Sequence, residues 1–158
     1  MDDIKNLIGT TINKYTITRY INSGSFGNVF EAVHKISGDK VALKIPIKTS
    51  ERDGLPSILS EARIYKQIAN PERGIANMKI IKHKEQKIIV MDLLGSSLES
   101  LLHTHKKFGM KTIILLAMSM IDIMKHIHSY GYIHRDIKPD NFAIGYESSS
   151  KLYCIDFG

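Results

Sequence analysis

Short segments rich in β-favouring apolar residues follow one another along the first part of this chain, and turn-forming residues separate most of them. Residues 14–23, 28–33 and 40–45 form three such segments, and residues 75–83 and 87–92 form two more. Successive side chains of a strand point to opposite faces, so the alternation in residues 14–23 indicates a strand. The β-favouring residues of the other segments indicate strands as well. The pattern therefore predicts five strands before residue 93.

A helical period interrupts these strands between the third and the fourth. Pro56 suits the first turn of a helix, and Asn70 followed by Pro71 is typical of a helix end. The apolar residues between them recur at helical spacing, at Ile58, Leu59, Ala62, Tyr65 and Ile68.

Helical spacing returns after residue 96. Ser96 and Glu99 have the Ser-x-x-Glu form of a capping box, in which the two side chains satisfy unpaired N–H groups at a helix start. Leucines at positions 98, 101 and 102 give this helix an apolar side, and residues 106–109 end it.

A longer helix is predicted over Lys111–Ser129. Its apolar residues fit one wide face, and we expect this face to pack in the core. The face comprises Ile113, Leu116, Ala117, Met120, Ile121, Met124, Ile127 and His128.

Two short apolar segments, residues 142–144 and 152–155, close the pattern and predict strands. As a pair they would place Asn141 and Asp156 side by side. Strands grouped before residue 93 and helices mainly after it are typical of an α+β fold.

Composition fits an ordinary globular protein. The 158 residues are 43% hydrophobic and 24% charged, and 22 Lys and Arg against 16 Asp and Glu give a net charge of +6. This charge favours a solvated basic surface, or attraction of ATP and acidic substrates, over nucleic-acid binding, because no arginine-rich run or repeated basic–aromatic pattern is present. We therefore expect no nucleic-acid partner.

The sequence also bears on the compartment. The single cysteine, Cys154, cannot form an internal disulfide, and its apolar neighbours favour a small core residue over a reactive thiol. The start of the chain lacks a signal-peptide pattern, and the longest apolar run, Ile113–Ile121, is too short to cross a bilayer. We expect a cytoplasmic or nuclear protein without a membrane partner.

Ser23-Gly24-Ser25-Phe26-Gly27 joins the first two predicted strands. Glycines in such a turn let backbone N–H groups approach phosphate oxygens. A dinucleotide-binding turn would lead into a helix, and here a strand follows, which excludes that interpretation. A plain hairpin turn is the remaining alternative, and this segment alone does not decide between them.

Lys44 lies in the apolar third strand, and burial of its charge would require a partner. Glu61, on the helix that follows, is the first candidate, and Glu51 is a less favoured one because it precedes the periodic part. Alternatively, Lys44 is a strand-end lysine that extends to water, and Glu61 is a surface glutamate.

Four histidines, at positions 103, 105, 126 and 128, form two pairs with a spacing of two. On a helix this spacing directs the two rings about 200° apart. No cysteine pattern joins them, so a zinc site is not favoured.

Tyr132–Asn141 contains His134-Arg135-Asp136, four further residues and then Asn141, and the chain ends in Asp156-Phe157-Gly158. The first motif resembles the catalytic loop of protein kinases, and the second resembles their Asp-Phe-Gly motif. The resemblance implies that Asp136 accepts the proton of a substrate hydroxyl, and that Asn141 and Asp156 hold Mg²⁺. Lys138 resembles the serine/threonine branch, where a lysine at this position contacts the transferring phosphate.

The same resemblance assigns an ATP site. The glycine turn resembles the kinase Gly-rich loop, with Asn22 in place of the first glycine. The segment Val41-Ala42-Leu43-Lys44 resembles the motif that contains the phosphate-binding lysine of kinases. Glu61 matches the helix residue that pairs with this lysine. Met91-Asp92-Leu93 resembles the hinge that contacts adenine. The implied ATP-binding residues are Ile21, Gly24, Ser25, Phe26, Gly27, Val29, Ala42, Lys44, Glu61, Met91, Asp92 and Leu93.

Residues 91–99, 108–112 and 138–142 resemble the casein kinase I group more closely than other kinases. The resemblance implies an α+β kinase fold with a five-stranded antiparallel small lobe over residues 1–91. The hinge and the first, mainly helical part of the large lobe occupy residues 92–158. It implies ATP and Mg²⁺ as cofactors and Ser/Thr proteins as substrates, with acidic or phosphorylated sites preferred in the group.

Two hypotheses follow from these residues. The first is a serine/threonine protein kinase of casein kinase I type. The second is a kinase-like module that acts by binding nucleotide or protein without efficient catalysis. Asn22 favours this second hypothesis, and so does the end of the series of kinase motifs at Gly158. If the large-lobe segments that follow Asp-Phe-Gly in the family are missing, we expect the helix over Lys111–Ser129 to expose an apolar face.

Overall fold

The computed structural model of the chain describes residues 6–24, 27–46, 55–147 and 150–157, with the backbone alone at residues 24 and 55–60. The described residues form two compact units. One contains the residues up to Arg63 together with Met78–Leu93, and the other contains Ile64–Asn77 and Leu94–Phe157. The predicted lobe boundary after Met91 stays a prediction.

The first unit is built on one antiparallel sheet. In chain order its strands are β1 (Thr11–Ile12), β2 (Tyr15–Gly24), β3 (Gly27–His34), β4 (Lys40–Ile45), β5 (Met78–His83) and β6 (Gln86–Asp92). They are arranged in the sheet as β1-β2-β3-β4-β6-β5.

All five predicted strands are present in this sheet. The additional strand β1 has two residues, which is too short to show an alternating pattern. The fourth predicted strand begins at Met78 rather than Ile75. Ile75 instead forms single bridges to Asn70 and Cys154.

Side chains on one face of this sheet form its apolar core. Alternate positions of β2, β3, β4 and β6 contribute, as the period of two requires, and β5 contributes only the partly buried Ile81. The buried members are Ile12, Tyr15, Ile17, Phe30, Ala32, Leu43, Ile45, Ile88 and Val90.

The sheet curls until the turn after β1 reaches β5. Asn13 Nδ2 donates to the carbonyl oxygen of Lys82 at 3.0 Å, and Asn13 Oδ1 lies 3.3 Å from His83 Nδ1. Asn13 has φ +51°, a left-handed conformation that asparagine tolerates better than most residues. We call this junction the seam of the sheet.

The helices are α1 (Leu55–Ile68), α2 (Leu98–His105) and α3 (Met110–Ser129). Residues of α1 belong to both units. The second unit also contains a small antiparallel sheet in the order β7 (Leu94–Ser97), β8 (Phe142–Gly145) and β9 (Leu152–Cys154). Single 3-10 turns lie at Pro71–Arg73 and Pro139–Asn141.

The cap of α2 differs from the prediction by one residue. Ser97, not Ser96, is the N-cap, and its hydroxyl oxygen accepts from the N–H of Ser100 at 3.2 Å. The position three residues after this cap is therefore Ser100, so the capping box predicted with Glu99 is wrong. Glu99 instead faces His103, with 3.4 Å between Oε1 and Nε2.

The predicted core face of α3 is only partly buried. Met124 and Ile127 are buried together with Ile123, which lay outside the predicted face, and Ile113 and Ile121 are exposed. A helical period shows which residues share a face, but it does not show whether anything packs on that face. The large apolar residues exposed on α3 are Met110, Ile113, Ile114, Leu115, Met118 and Ile121, each between 47% and 72% exposed.

None of the helices in the described ranges combines the length and the apolar character needed to cross a bilayer.

Candidate active site

Lys44 and Glu61 form a buried ion pair in the first unit. Lys44 lies in β4 between Val29 of β3 and Ile89 of β6, so its strand is paired on both sides. Its Nζ lies 2.7 Å from Oε2 of Glu61 on α1, and the two side chains are only 10% and 1% exposed. The structure therefore places the predicted lysine and its predicted partner in contact. Glu51, the less favoured partner, lies outside the described residues.

The glycine turn connects β2 and β3. Gly24 and Gly27 are paired across the hairpin, and Val29 lies opposite Asn22. A Cβ on Gly27 would lie 2.5 Å from the carbonyl oxygen of Ile45, so only glycine fits there without a backbone shift. Ser25 and Phe26 lie outside the described residues.

Asn22, which replaces the first glycine of the motif, is exposed on β2. Its Oδ1 accepts from the N–H of Ser23 at 2.8 Å. The pairing of β2 with β3 shifts between Tyr20 and Asn22, so the strand is irregular at Ile21. The asparagine is therefore accommodated by a local hydrogen bond at the stem of the turn.

The remaining predicted adenine-side residues lie on β4 and at the end of β6. Ala42 is buried and lies directly opposite Met91 in the sheet. Asp92 is the last residue of β6, and Leu93, which follows it, is buried. Strand pairing thus fixes the positions of Ala42 and Met91 relative to each other.

Asp136 is the centre of a hydrogen-bonded cluster in the second unit. Its Oδ2 accepts from Lys138 Nζ at 2.7 Å and from Asn141 Nδ2 at 2.9 Å. Asn141 Nδ2 also donates to the backbone carbonyl of Asp136 at 2.8 Å. The structure therefore brings together the three residues predicted to be catalytic.

The protonation states of this cluster follow from these contacts. The hydrogen bonds from Lys138 and Asn141 lower the pKa of Asp136, and the hydrogen bond to Asp136 raises the pKa of Lys138. Both side chains are about half exposed, at 54% for Asp136 and 50% for Lys138. Asp136 is therefore a carboxylate at neutral pH, within reach of solvent.

Asp156 is positioned by the small sheet. Phe142 pairs with Cys154 across β8 and β9, and the N–H of Ile155 donates to the carbonyl of Asn141 at 2.9 Å. Asp156 therefore directly follows the residue whose backbone is hydrogen-bonded to Asn141. The two short strands were predicted from their apolar residues, and both are present.

Asp156 and Asn141 fit the requirements of Mg²⁺. The amide nitrogen of Asn141 donates to Asp136, which leaves its amide oxygen available as a ligand. Mg²⁺ is usually bound by one or two protein oxygen ligands, with water and substrate phosphates filling the other positions. In the part of the chain that is described, no three His, Cys, Asp or Glu side chains are close enough to form a larger metal cage.

His134 braces this region from a buried position. The N–H of Asp136 donates to its Nδ1 at 3.4 Å, and its ring lies 5.1 Å from the ring of Phe157. Burial lowers the pKa of His134, although the backbone of Ile155 and the carboxylates of Asp136 and Asp156 oppose this effect. The ring is thus held neutral between the two acidic residues.

Tyr65 completes this packing, and sequence reasoning had assigned it only to a helix face. Its ring meets Phe157 edge to face, with centroids 4.9 Å apart, and it is completely buried. An edge-to-face pair of this kind adds about 1 kcal/mol beyond burial. The helical spacing of Tyr65 signalled burial, but nothing in the sequence indicated which residue it would contact.

Two residues of the motifs have a backbone conformation that side chains disfavour. Arg135 has φ +68° and Asp156 has φ +66°. Non-glycine residues in this left-handed region are uncommon and concentrate at functional sites.

Cys154 immediately precedes this segment on β9. It is fully buried, and burial together with the nearby Asp156 charge raises the pKa of its thiol to about 12. The thiolate, which is the reactive form, is therefore scarce at neutral pH.

The family model of the protein kinase domain matches residues 15–158. The chain belongs to the protein kinase domain family. A crystal structure of a kinase domain shares its fold with a TM-score of 0.86 at 19% sequence identity. That alignment covers 94% of this chain and 52% of the other, so this chain spans about half the length of that kinase domain.

This membership confirms the predicted α+β kinase fold, although the sheet of the first unit has six described strands rather than five. Asp136, Asn141 and Asp156 lie in one hydrogen-bonded region of the kinase domain, and Lys44 and Glu61 form the ion pair that their motifs predict.

Proposed function

We propose that this kinase domain is a serine/threonine kinase of casein kinase I type that transfers the γ-phosphate of ATP to protein hydroxyl groups. The observation that carries the proposal is the Asp136 cluster. One carboxylate oxygen contacts both the lysine two residues ahead and the asparagine five residues ahead. Lys138 is also the residue that supports the serine/threonine class.

Asp136 has the properties of the residue that receives the substrate proton. Its lowered pKa keeps it ionised at neutral pH, and its exposure lets a hydroxyl group reach it. Phosphoryl transfer depends mainly on positioning and on charge stabilisation, so a modest base that orients the hydroxyl is sufficient. Asn141 holds Asp136 in place through two hydrogen bonds.

Lys138 supplies positive charge beside Asp136. Its Nζ is already held 2.7 Å from the carboxylate, and its raised pKa keeps it protonated. In this proposal it offsets negative charge on the phosphate during transfer. Bound Mg²⁺, held by Asp156 and Asn141, would supply further positive charge to the phosphate oxygens.

In the first unit, Lys44 would bind the phosphates of ATP. The carboxylate of Glu61 fixes the direction of its ammonium group. Gly24 and Gly27 would bring the backbone close to the phosphates, and Met91, Asp92 and Leu93 would contact the adenine.

The test is transfer of labelled phosphate from Mg-ATP to casein by the 158-residue chain, with folding checked by circular dichroism. We expect incorporation into Ser and Thr, and loss of at least 100-fold in the Asp136→Asn variant, because general-base and positioning contributions are about this large. Asp122→Asn is the matched control, since it makes the same chemical change at an exposed position of α3 and should leave transfer unchanged.

Absence of transfer by a folded chain would contradict the proposal. ATP binding measured by calorimetry would then separate the alternative, a kinase-like module that binds nucleotide without efficient catalysis. The specific observation behind this alternative is Asn22, whose side chain occupies the position of the first loop glycine and bonds the Ser23 N–H. Substrate preference for acidic sites and a cytoplasmic or nuclear location belong to the same proposal.

A further inference from the structure

Five lysines lie around the seam of the curled sheet in the first unit. Asn13 contacts the backbone of Lys82, which places its neighbour Lys14 beside β5. The N–H of Lys35 donates to the carbonyl of Lys14 at 2.8 Å, which adds the end of β3. The basic seam comprises Lys14, Lys35, Lys82, Lys84 and Lys87. Lys79 is not part of it, because Lys79 lies opposite Val90 on the core face of the sheet, whereas Lys82 and Lys87 lie on the other face.

Little within the described part of the chain neutralises these lysines. Lys82 pairs with Glu85 at 3.7 Å, and both side chains are largely exposed. Exposed pairs of this kind contribute little attraction because water screens them. The basic seam therefore carries a net positive charge.

The strand register places two of these charges directly opposite each other. Lys82 of β5 pairs with Lys87 of β6. Like charges at directly opposite positions of an antiparallel pair destabilise a sheet. A bound anion would remove this repulsion, so the arrangement favours an anionic partner.

We propose that the basic seam is an interaction surface for an acidic segment of a polypeptide. All five cationic groups are lysines, which act as point charges and suit a flexible row of carboxylates. Nucleic-acid surfaces usually add aromatic or arginine planes on which bases stack. Tyr15, the tyrosine next to the seam, is only 5% exposed and is covered by Lys79, so its ring offers no stacking surface.

This proposal does not depend on the proposed phosphoryl transfer. None of the five lysines belongs to the Asp136 cluster, the Lys44–Glu61 pair or the residues assigned to ATP. Binding at the seam can therefore be measured without ATP, and failure of either proposal leaves the other intact.

The test is binding of a fluorescein-labelled peptide of twelve glutamates to the full 158-residue chain, followed by fluorescence anisotropy. We expect Lys82→Glu/Lys87→Glu to raise the Kd about ten-fold or more, and affinity to fall as salt increases, because exposed charges are screened within about 10 Å at 0.1 M salt. The matched control, Lys111→Glu/Lys125→Glu on α3, has the same net charge as the Lys82→Glu/Lys87→Glu variant and should retain the wild-type Kd.

A further variant separates binding from folding. Lys87→Glu places an opposite charge across from Lys82, so its Tm should equal or exceed that of the wild type while its Kd rises. A lower Tm would overturn the like-charge argument. Equal weakening in the α3 control, no peptide binding by the wild type, or tighter binding of a twelve-nucleotide single-stranded DNA or of phosphatidylserine vesicles would overturn the proposal.

Discussion

At the scale of single residues, Lys44 and Glu61 show the free-energy cost of burying charged groups. Removing two charges from water is unfavourable, and their attraction offsets this only when both are present. Glu61 is almost completely buried, so the loss of Lys44 would leave its carboxylate without the ammonium group that now faces it.

We therefore expect Lys44→Met to lower the free energy of unfolding by about 3 kcal/mol, since breaking a buried pair costs this much. Lys44→Met/Glu61→Leu should recover most of the loss, because apolar replacement of a whole buried pair is often neutral. Urea denaturation followed by circular dichroism measures both values. A double variant as unstable as the single one would contradict this account.

His134 gives a second prediction at this scale. Burial lowers its pKa below the usual 6.5, so the folded protein resists protonation of the ring. As pH falls below about 6.5, the unfolded chain binds the proton first, and the free energy of unfolding decreases. The contribution of the neutral His134 to the free energy of unfolding is fully present above pH 6.5 and is lost towards lower pH.

Urea denaturation between pH 5 and 8 measures the effect. His134→Gln should show a smaller decrease in stability over this range than the wild type. His128→Gln is the control, because His128 is exposed on α3 and should leave the pH dependence unchanged. Identical pH profiles for wild type and His134→Gln would refute the assignment.

At the scale of elements, a substitution can test whether Ser97, rather than the predicted Ser96, is the N-cap of α2. Ser97→Ala removes the oxygen that accepts from Ser100, and we expect a loss of about 1 kcal/mol in the free energy of unfolding. Ser96→Ala is the matched control, since this neighbouring exposed serine is not the cap. If the two variants lose equal stability, Ser97 is not the residue that caps the helix.

The sequence located elements better than it located their contacts. Strands β2 to β6 were predictable because each extends over at least six residues and is rich in β-favouring side chains. Two adjacent serines, Ser96 and Ser97, made the cap ambiguous by one position. The pair of Lys44 and Glu61 was predictable because a buried charge requires a partner and few candidates exist. The contact of Tyr65 with Phe157 depends on tertiary packing between distant segments, which no local pattern encodes.

At the scale of the whole molecule, the exposed side of α3 departs from an ordinary protein surface. Met110, Ile114, Met118 and Ile121 follow one another at helical spacing and are all more than half exposed. Contiguous apolar surface of this kind promotes association.

We expect the wild type to bind the dye ANS and to scatter light increasingly with concentration. Ile114→Lys/Met118→Lys should reduce both signals while the far-ultraviolet circular dichroism stays the same, because both positions face solvent. Thr112→Lys/His128→Lys carries the same number of substitutions at exposed polar positions and should change either signal less. Equal reduction by both pairs would point to net charge rather than to the apolar face.

Cys154 has a practical consequence for such experiments. The chain contains no other cysteine, and this one is fully buried with its pKa raised to about 12. Maleimide reagents need an accessible thiolate, so the native protein should remain unlabelled at neutral pH. A cysteine introduced at any exposed position would then carry a fluorophore or spin label alone, and the chain could be tagged without first removing its own thiol.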